Sequence, residues 1–399
     1  MASHRNIMTN NTKGFSLIEL LIVCLIMVLV ILITSSAFEK ITSKSAILTN
    51  ASKSNIDGIV GLELMRADLE STGFGLPWSY ESTVTYTECE EPLRRVAGVD
   101  PTTDFNDASS NPPRAVISKT GNDGSDYLVV KSAAVGDERA SRKWSYVGYS
   151  SSGEGVLRSY KGSDNLDEGD YLITLKTGFG ADAANSGTAR QLVKTKPGGN
   201  YYYKVASSAL ADPPPGDASE LYVAYGISTQ NSPTMPFNRA DYYIFRPNNI
   251  SPGCATGPGS GAVVGNLYRS SINHAKGSDK GKYNEMALLN CVLDMQVYYM
   301  RDPNNDGNIR PEKSLAGLTA QQIREQVKGI QVNILAQEGG LDRNYTYPGD
   351  SITLGITYNG SSLAKTWDDA MLKKAAGNNW RNYRWKIYTI AVQPRNLNK

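Results

Sequence analysis

Lys13-Gly14-Phe15-Ser16-Leu17-Ile18-Glu19-Leu20-Leu21-Ile22-Val23-Cys24-Leu25-Ile26-Met27-Val28-Leu29-Val30-Ile31-Leu32-Ile33 sets the architecture of this chain. From Leu20 to Ile33 the only interruption of the apolar run is Cys24, and from Phe15 onward the exceptions are Ser16 and Glu19. As a helix of about 19 residues at ~1.5 Å rise, the stretch reaches about 29 Å, enough to cross a hydrocarbon core. A secretory signal peptide closes such a run with a small-residue cleavage site, which Thr34-Ser35-Ser36-Ala37 imitate, but it does not carry a carboxylate near the start of the run. Lys13, ahead of the run, keeps that end cytoplasmic and sends the rest of the chain across the membrane.

Those residues resemble the processing motif of type IV prepilins and of the pseudopilins of type II secretion. The resemblance implies that a prepilin peptidase cuts between Gly14 and Phe15 and that the new amine on Phe15 is methylated. The apolar helix then stays in the mature chain as a membrane anchor and later as filament core. Initiation at Met1 gives a leader of residues 1–14; initiation at Met8 leaves Met8 to Gly14. A carboxylate in apolar surroundings costs about 2.5–3.5 kcal/mol at mid-membrane and less near the interface. Glu19 therefore needs a partner, and the Phe15 amine, in the same chain or a neighbouring subunit, is one that rewards a single axial register during assembly. The other reading of Glu19 is a carboxylate that snorkels to the headgroups.

Outward from the anchor, Ile41, Leu48, Ala51, Ile56, Ile59, Leu62 and Leu69 recur at helical spacing, with no proline before Pro77. The pattern predicts one helix from about Phe15 to Ser71, ending near Gly73 and Gly75. Gly58 and Gly61 weaken it or permit close packing of strands. From Trp78 the chain reads as strands cut by turns: 126–132, 144–149, 170–175, 201–206, 220–227, 241–246, 288–300, 329–336, 351–358 and 385–392. The expected fold is α+β and type IV pilin-like: a leader (1–14), a membrane-spanning half-helix (15–38), an amphipathic half-helix (39–75) and a large antiparallel β-rich head (76–399), with 81–258 as an insertion or subdomain. Leu64-Met65-Arg66-Ala67-Asp68-Leu69-Glu70-Ser71-Thr72-Gly73-Phe74-Gly75 resembles the helix end of PilW-type minor pilins. So do Gly121 to Val130 and the terminal Val392-Gln393-Pro394-Arg395-Asn396-Leu397. In plain physical terms these are a helix end, a turn and a last strand.

The composition narrows the function. Basic and acidic residues number 41 and 39, a net charge of +2 with no field to draw in nucleic acid, and the two histidines, His4 and His274, exclude sites that need several. His274, beside Asn273, Lys276 and Gly277, reads as a surface loop residue. Tyr outnumbers Phe by 23 to 7, which suits half-exposed rings on strands. The mean hydropathy of −0.36 conceals the anchor. No Walker A loop, GxSxG elbow or Cys/His metal spacing occurs, and a non-enzymatic subunit is expected.

Asp302-Pro303-Asn304-Asn305-Asp306-Gly307-Asn308-Ile309 matches the first two-thirds of an EF-hand-type loop, with calcium ligands at Asp302, Asn304, Asp306 and the Asn308 carbonyl. Lys313 stands where a closing Glu belongs, with Glu312 one residue early, so an Asn/Asp/Gly turn is the competing reading. Cys89, Cys254 and Cys291 would face an oxidising compartment. Cys254–Cys291 is the preferred disulfide, because Cys254 lies in a loop and Cys291 begins a strand. Trp380-Arg381-Asn382-Tyr383-Arg384-Trp385-Lys386 mixes bases with rings ahead of a strand apolar on both faces, expected to be central with a solvated basic edge.

The resemblance implies a minor pilin in the inner-membrane priming or tip complex of a type IV pilus, partnered by the prepilin peptidase, the assembly platform, other minor pilins and the major pilin. The alternatives are a minor pseudopilin of type II secretion, or a tip adhesin or DNA-binding module on a pilin stem.

Overall fold

The computed structural model describes residues 16–80, 84–90, 96–149, 155–160, 164–177, 190–195, 199–207, 209–211, 221–229, 231–247, 250, 252–258, 264–274 and 283–397. The chain divides into two compact units, Met1–Ser52 and Lys53–Lys399. Helix α1 is Leu17–Glu70. In the first unit its Leu17–Glu39 portion is long and apolar enough to cross a membrane, and every large apolar side chain from Leu17 to Ile33 is at least half exposed. Thr34 and Ser36 do not break it. The Thr34 hydroxyl donates to the Val30 carbonyl at 2.8 Å and the Ser36 hydroxyl to the Ile33 carbonyl at 2.9 Å, so both are absorbed by the preceding turn.

In the second unit the strands are β1 (Ser79–Tyr80), β2 (Val116–Thr120), β3 (Asp126–Ser132), β4 (Trp144–Tyr149), β5 (Gly155–Leu157), β6 (Tyr171–Thr177), β7 (Gln191–Leu192), β8 (Tyr203–Ala206), β9 (Ala209–Ala211), β10 (Leu221–Ser228), β11 (Asn238–Phe245), β12 (Gly265–Ile272), β13 (Tyr283–Arg301) and β14 (Arg310–Glu312). Helix α2 (Ala320–Gln326), β15 (Val327–Glu338), β16 (Ile352–Tyr358), β17 (Ser361–Trp367), helix α3 (Asp369–Ala376) and β18 (Arg384–Val392) follow. The main sheet is antiparallel in the order β18-β15-β13-β12-β11-β3-β2, with β14 paired to β13. The second sheet runs β6-β10-β4-β5-β9-β8, and β8 pairs back to β6, closing a small barrel from which β7 and β1 extend. Its interior is filled by Val147, Leu157, Leu172, Tyr203, Val205 and Tyr222 rather than left as a pore. Residues 81–258, read as an insertion or subdomain, divide: β4, β5, β6, β8, β9 and β10 build the barrel, while β2, β3 and β11 belong to the main sheet.

One face of the main sheet carries the 58–69 part of α1. Leu62, Met65 and Leu69 share a core with Val297, Val332, Ile334, Ile390 and Val392. Gly58 and Gly61 complete that stripe, and Ile59, expected within it, is 49% exposed. The helix stops at Glu70. Gly73 then adopts a φ of 79° and donates its N–H to the Lys131 carbonyl at 3.1 Å, docking the turn on β3. The opposite face holds a second core, built from Leu293, Leu335, Trp367, Trp380 and Trp385 under the β16–β17 hairpin and α3. β3 is covered on both faces, by Leu128 and Val130 in the first core and by Tyr127 and Val129 packed with Val99 and Phe105 on the other side, so every residue of β3 is buried with no alternation. Such burial also corrects the view of tyrosine as a half-exposed residue here: Tyr127, Tyr203, Tyr222, Tyr242, Tyr243, Tyr298 and Tyr299 are fully buried. Several hydroxyls find partners there, such as Tyr298 on the Leu354 carbonyl at 3.2 Å.

Candidate functional site

Ser16 and Glu19 open α1 as a cap. The Glu19 carboxylate accepts the Ser16 N–H at 3.0 Å, one residue from the position of the expected new N-terminus. The carboxylate thus already faces the end of the helix where the amine would lie. Gly14 and Phe15, the expected cleavage pair, lie outside the described residues.

The joint between α1 and the β-rich head was not foreseen as a polar site. Asp68, on the buried stripe between Met65 and Leu69, accepts from Arg269 Nε on β12 at 2.7 Å and from the Tyr242 hydroxyl on β11 at 2.6 Å. Arg269 continues to Asp137 at 2.5 Å and to the Val135 carbonyl at 2.5 Å. Burial opposes the Arg269 charge, but Asp68, Tyr242 and Asp137 beside it outweigh that cost and raise its pKa above the usual arginine value. The sequence signal was a carboxylate placed at a helical position that otherwise reads as core.

The Asp302–Asn308 loop joins β13 to β14. Both Asp302 carboxylate oxygens accept backbone N–H groups, from Asp306 at 3.1 Å and Gly307 at 2.9 Å, and Asp306 accepts the Asn308 N–H at 2.9 Å. Asn305 and Gly307 take positive φ, as such a turn requires. No closing ligand for calcium arrives: Glu312 pairs with Arg310 at 2.9 Å and with Arg301, while Lys313 turns away to Asp126. Among the described residues no three His, Cys, Asp or Glu side chains converge as a metal-binding group. The geometry of Asp302, Asn304, Asp306 and Asn308 is that of a self-capped turn.

Cys254 and Cys291 are joined by a disulfide with Cα atoms 5.2 Å apart. Cys291 does not begin a strand; it lies within β13 at an irregularity in its pairing with β12, with a φ of 56°. Because the bond spans 37 residues, its reduction should cost about 2–4 kcal/mol, seen as a lower Tm with dithiothreitol that Cys291→Ser reproduces. Equal melting with and without reductant would contradict this.

His274 is not a surface residue. It is 4% exposed, with Nε2 facing Asn238 Oδ1 at 2.9 Å and Nδ1 accepting the Thr234 N–H at 3.2 Å. Burial lowers its pKa to about 4. The unfolded chain takes up a proton near the ordinary value of about 6.5 while the folded state resists until about 4. Stability is therefore full above pH ~6.5 and declines by about 3 kcal/mol as the pH falls to ~4. Urea midpoints across that range should drift in the parent and much less in His274→Gln; the same drift in both would exclude His274 as the source.

The basic aromatic segment before β18 is also structural. Trp380 is fully buried, Arg381 reaches Asp350 at 2.8 Å, and Arg384 reaches Asp342 at 2.9 Å. β18 lies at the end of the sheet order, not at its centre; among the described residues it pairs with β15 alone, and Ile387 is 40% exposed.

With this geometry in place, comparison with known proteins is informative at one point. The model of the prokaryotic N-terminal methylation motif matches residues 9–35, which span Gly14, Phe15 and Glu19. No curated protein and no solved structure matches the chain. The motif supports a type IV prepilin-like N-terminus, and together with the apolar helix it is compatible with a membrane-anchored pilin- or pseudopilin-like protein with a soluble head.

Proposed function

We propose that this chain is a minor pilin of a type IV pilus, of the PilW kind: a non-catalytic subunit of the inner-membrane complex that primes fibre growth and remains at the tip. The observation that carries the reading is a prepilin-type anchor joined to a head of two eight-stranded sheets. A head of that size is costly to repeat along a thin fibre and is readily accommodated in a few copies at one end. The anchor supplies lateral packing, and Glu19 sets register against the Phe15 amine after the prepilin peptidase has cut. Its partners are the assembly platform, the other minor pilins and the major pilin. The head starts in the periplasm and ends at the cell surface.

Deleting the chain in cells that lack the retraction motor should abolish or sharply reduce surface pili. Normal piliation with failed protein secretion would move the chain to the pseudopilin reading. Glu19→Ala should leave cleavage intact and cut incorporation into sheared pili at least tenfold, corresponding to about 1.4 kcal/mol or more of lost pairing. Unchanged incorporation would remove Glu19 from the assembly step.

A further inference from the structure

Beneath the segment that precedes β2 lies a dry cluster that the proposed function does not use. Lys131 on β3 and Glu88 have side chains with no solvent exposure, and Asp107 is 7% exposed. Lys131 Nζ stands 2.6 Å from Asp107 Oδ2 and 2.7 Å from Glu88 Oε2, donates to the Phe105 carbonyl at 2.8 Å, and lies 5.3 Å from the centre of the Phe237 ring. Glu88 is fixed on its other side: Oε1 accepts the Asp107 N–H at 2.6 Å and the Ala108 N–H at 3.2 Å. Arg114 Nε donates to Asp107 Oδ1 at 2.6 Å. Arg239, bound to Asp241 at 2.7 Å, also reaches Glu88 at 3.3 Å.

We propose that Lys131 and Asp107 condense into an isopeptide bond, with Glu88 carrying the protons. An amine, a carboxyl carbon and a third carboxylate that touches the amine are the parts an amide-forming site needs, and here all three are removed from water. In solution the amine and acid stay apart as hydrated ions; in this cluster both side chains are buried and the two groups are held in contact. A proton passes from Nζ through Glu88 to Asp107 Oδ2, leaving a neutral amine and a neutral acid. Nζ then attacks Cγ, and the new Nζ–Cγ bond forms while Arg114 steadies the charge that develops on Oδ1. A second proton from Nζ reaches Oδ2 by the same route, the Cγ–Oδ2 bond breaks, and Oδ2 departs as water with both protons. The amide keeps one hydrogen on Nζ and Oδ1 as its carbonyl oxygen, and no oxidant is needed. The product removes one buried cation and one buried anion together, so Arg114, Arg239, Glu88 and Asp241 remain in charge balance. It also ties the irregular segment before β2 covalently to β3, the strand next to the β2 edge of the main sheet.

Full-length protein purified from membranes, denatured and digested, should yield a branched peptide containing both Lys131 and Asp107, lighter by one water than the sum of its two parts. Glu88→Gln should lower the branched fraction at least tenfold, and Lys131→Arg should abolish it. Recovery of Lys131 and Asp107 in separate, unlinked peptides from the parent chain would overturn the proposal, as would a lost water confined to an unlinked Asp107 peptide. The parent measurement is decisive even where a variant does not fold.

Discussion

Asp68→Ala should destabilise the head by about 3–5 kcal/mol, among the largest effects of any single polar substitution in the chain. The loss has two parts. Tyr242 gives up the acceptor of a 2.6 Å hydrogen bond, and Arg269, 2% exposed, keeps its charge while losing its most buried counter-ion. Asp137 remains at 2.5 Å but is itself one-third exposed, so it compensates weakly. Urea unfolding of the detergent-solubilised chain measures the change. A shift below about 1 kcal/mol would show that the pair is not what ties the helix end to the sheet. Asp68→Leu combined with Arg269→Met should recover much of the loss, since a well-packed apolar pair often equals the ion pair it replaces.

Gly61→Ala should also destabilise, reversing the usual sign for this exchange inside a helix, where alanine gains about 1 kcal/mol. A Cβ at Gly61 would lie 2.4 Å from the Leu288 carbonyl oxygen and 2.9 Å from its Cα, both backbone atoms of a bulged stretch of β13. Helix or strand must move, at a cost on the order of 1–3 kcal/mol or more. Gly58 provides the control. Its Cβ would meet only Leu289 Cδ1, at 2.6 Å, the free end of a side chain that can rotate away. Gly58→Ala should therefore lie within about 1 kcal/mol of the parent, and equal penalties at the two positions would mean that backbone approach is not the controlling contact.

These two sites show what the sequence makes legible and what it leaves out. The anchor reads directly, because a nineteen-residue run after Lys13-Gly14 broken only by Ser16 and Glu19 leaves few physical alternatives, and the helix end just before Gly73 reads from its glycines. β3 and β4 are found at their observed limits because turn residues bound them. The short strands β5, β7 and β9 of the second sheet carry too few residues for any alternation, and β12 is broken by polar positions that the structure satisfies internally, as at Arg269. The face of α1 differs from its apolar pattern at Ile59, because side-chain hydrophobicity does not register a contact that glycine makes by having no side chain. The burial of His274 is not legible locally for a related reason: its hydrogen-bonding partners, Asn238 and Thr234, are remote in sequence. The Asp302 turn was legible in outline, but the destination of Glu312 and Lys313 depended on Arg301 and Asp126.

The barrel has a further consequence. Ser132, the last residue of β3, is the register partner of Asn238, the first of β11, so the chain leaves the main sheet and rejoins it at a single rung. Topologically the barrel is the elaborated tip of a hairpin. Such a rung is a graft point: a short turn in place of the excursion would leave the ladder on either side continuous, and a different domain could be spliced there without rethreading the sheet that carries the helix. Diversity in what the head displays can therefore arise by exchange at one rung, while the strand order of the main sheet stays unchanged.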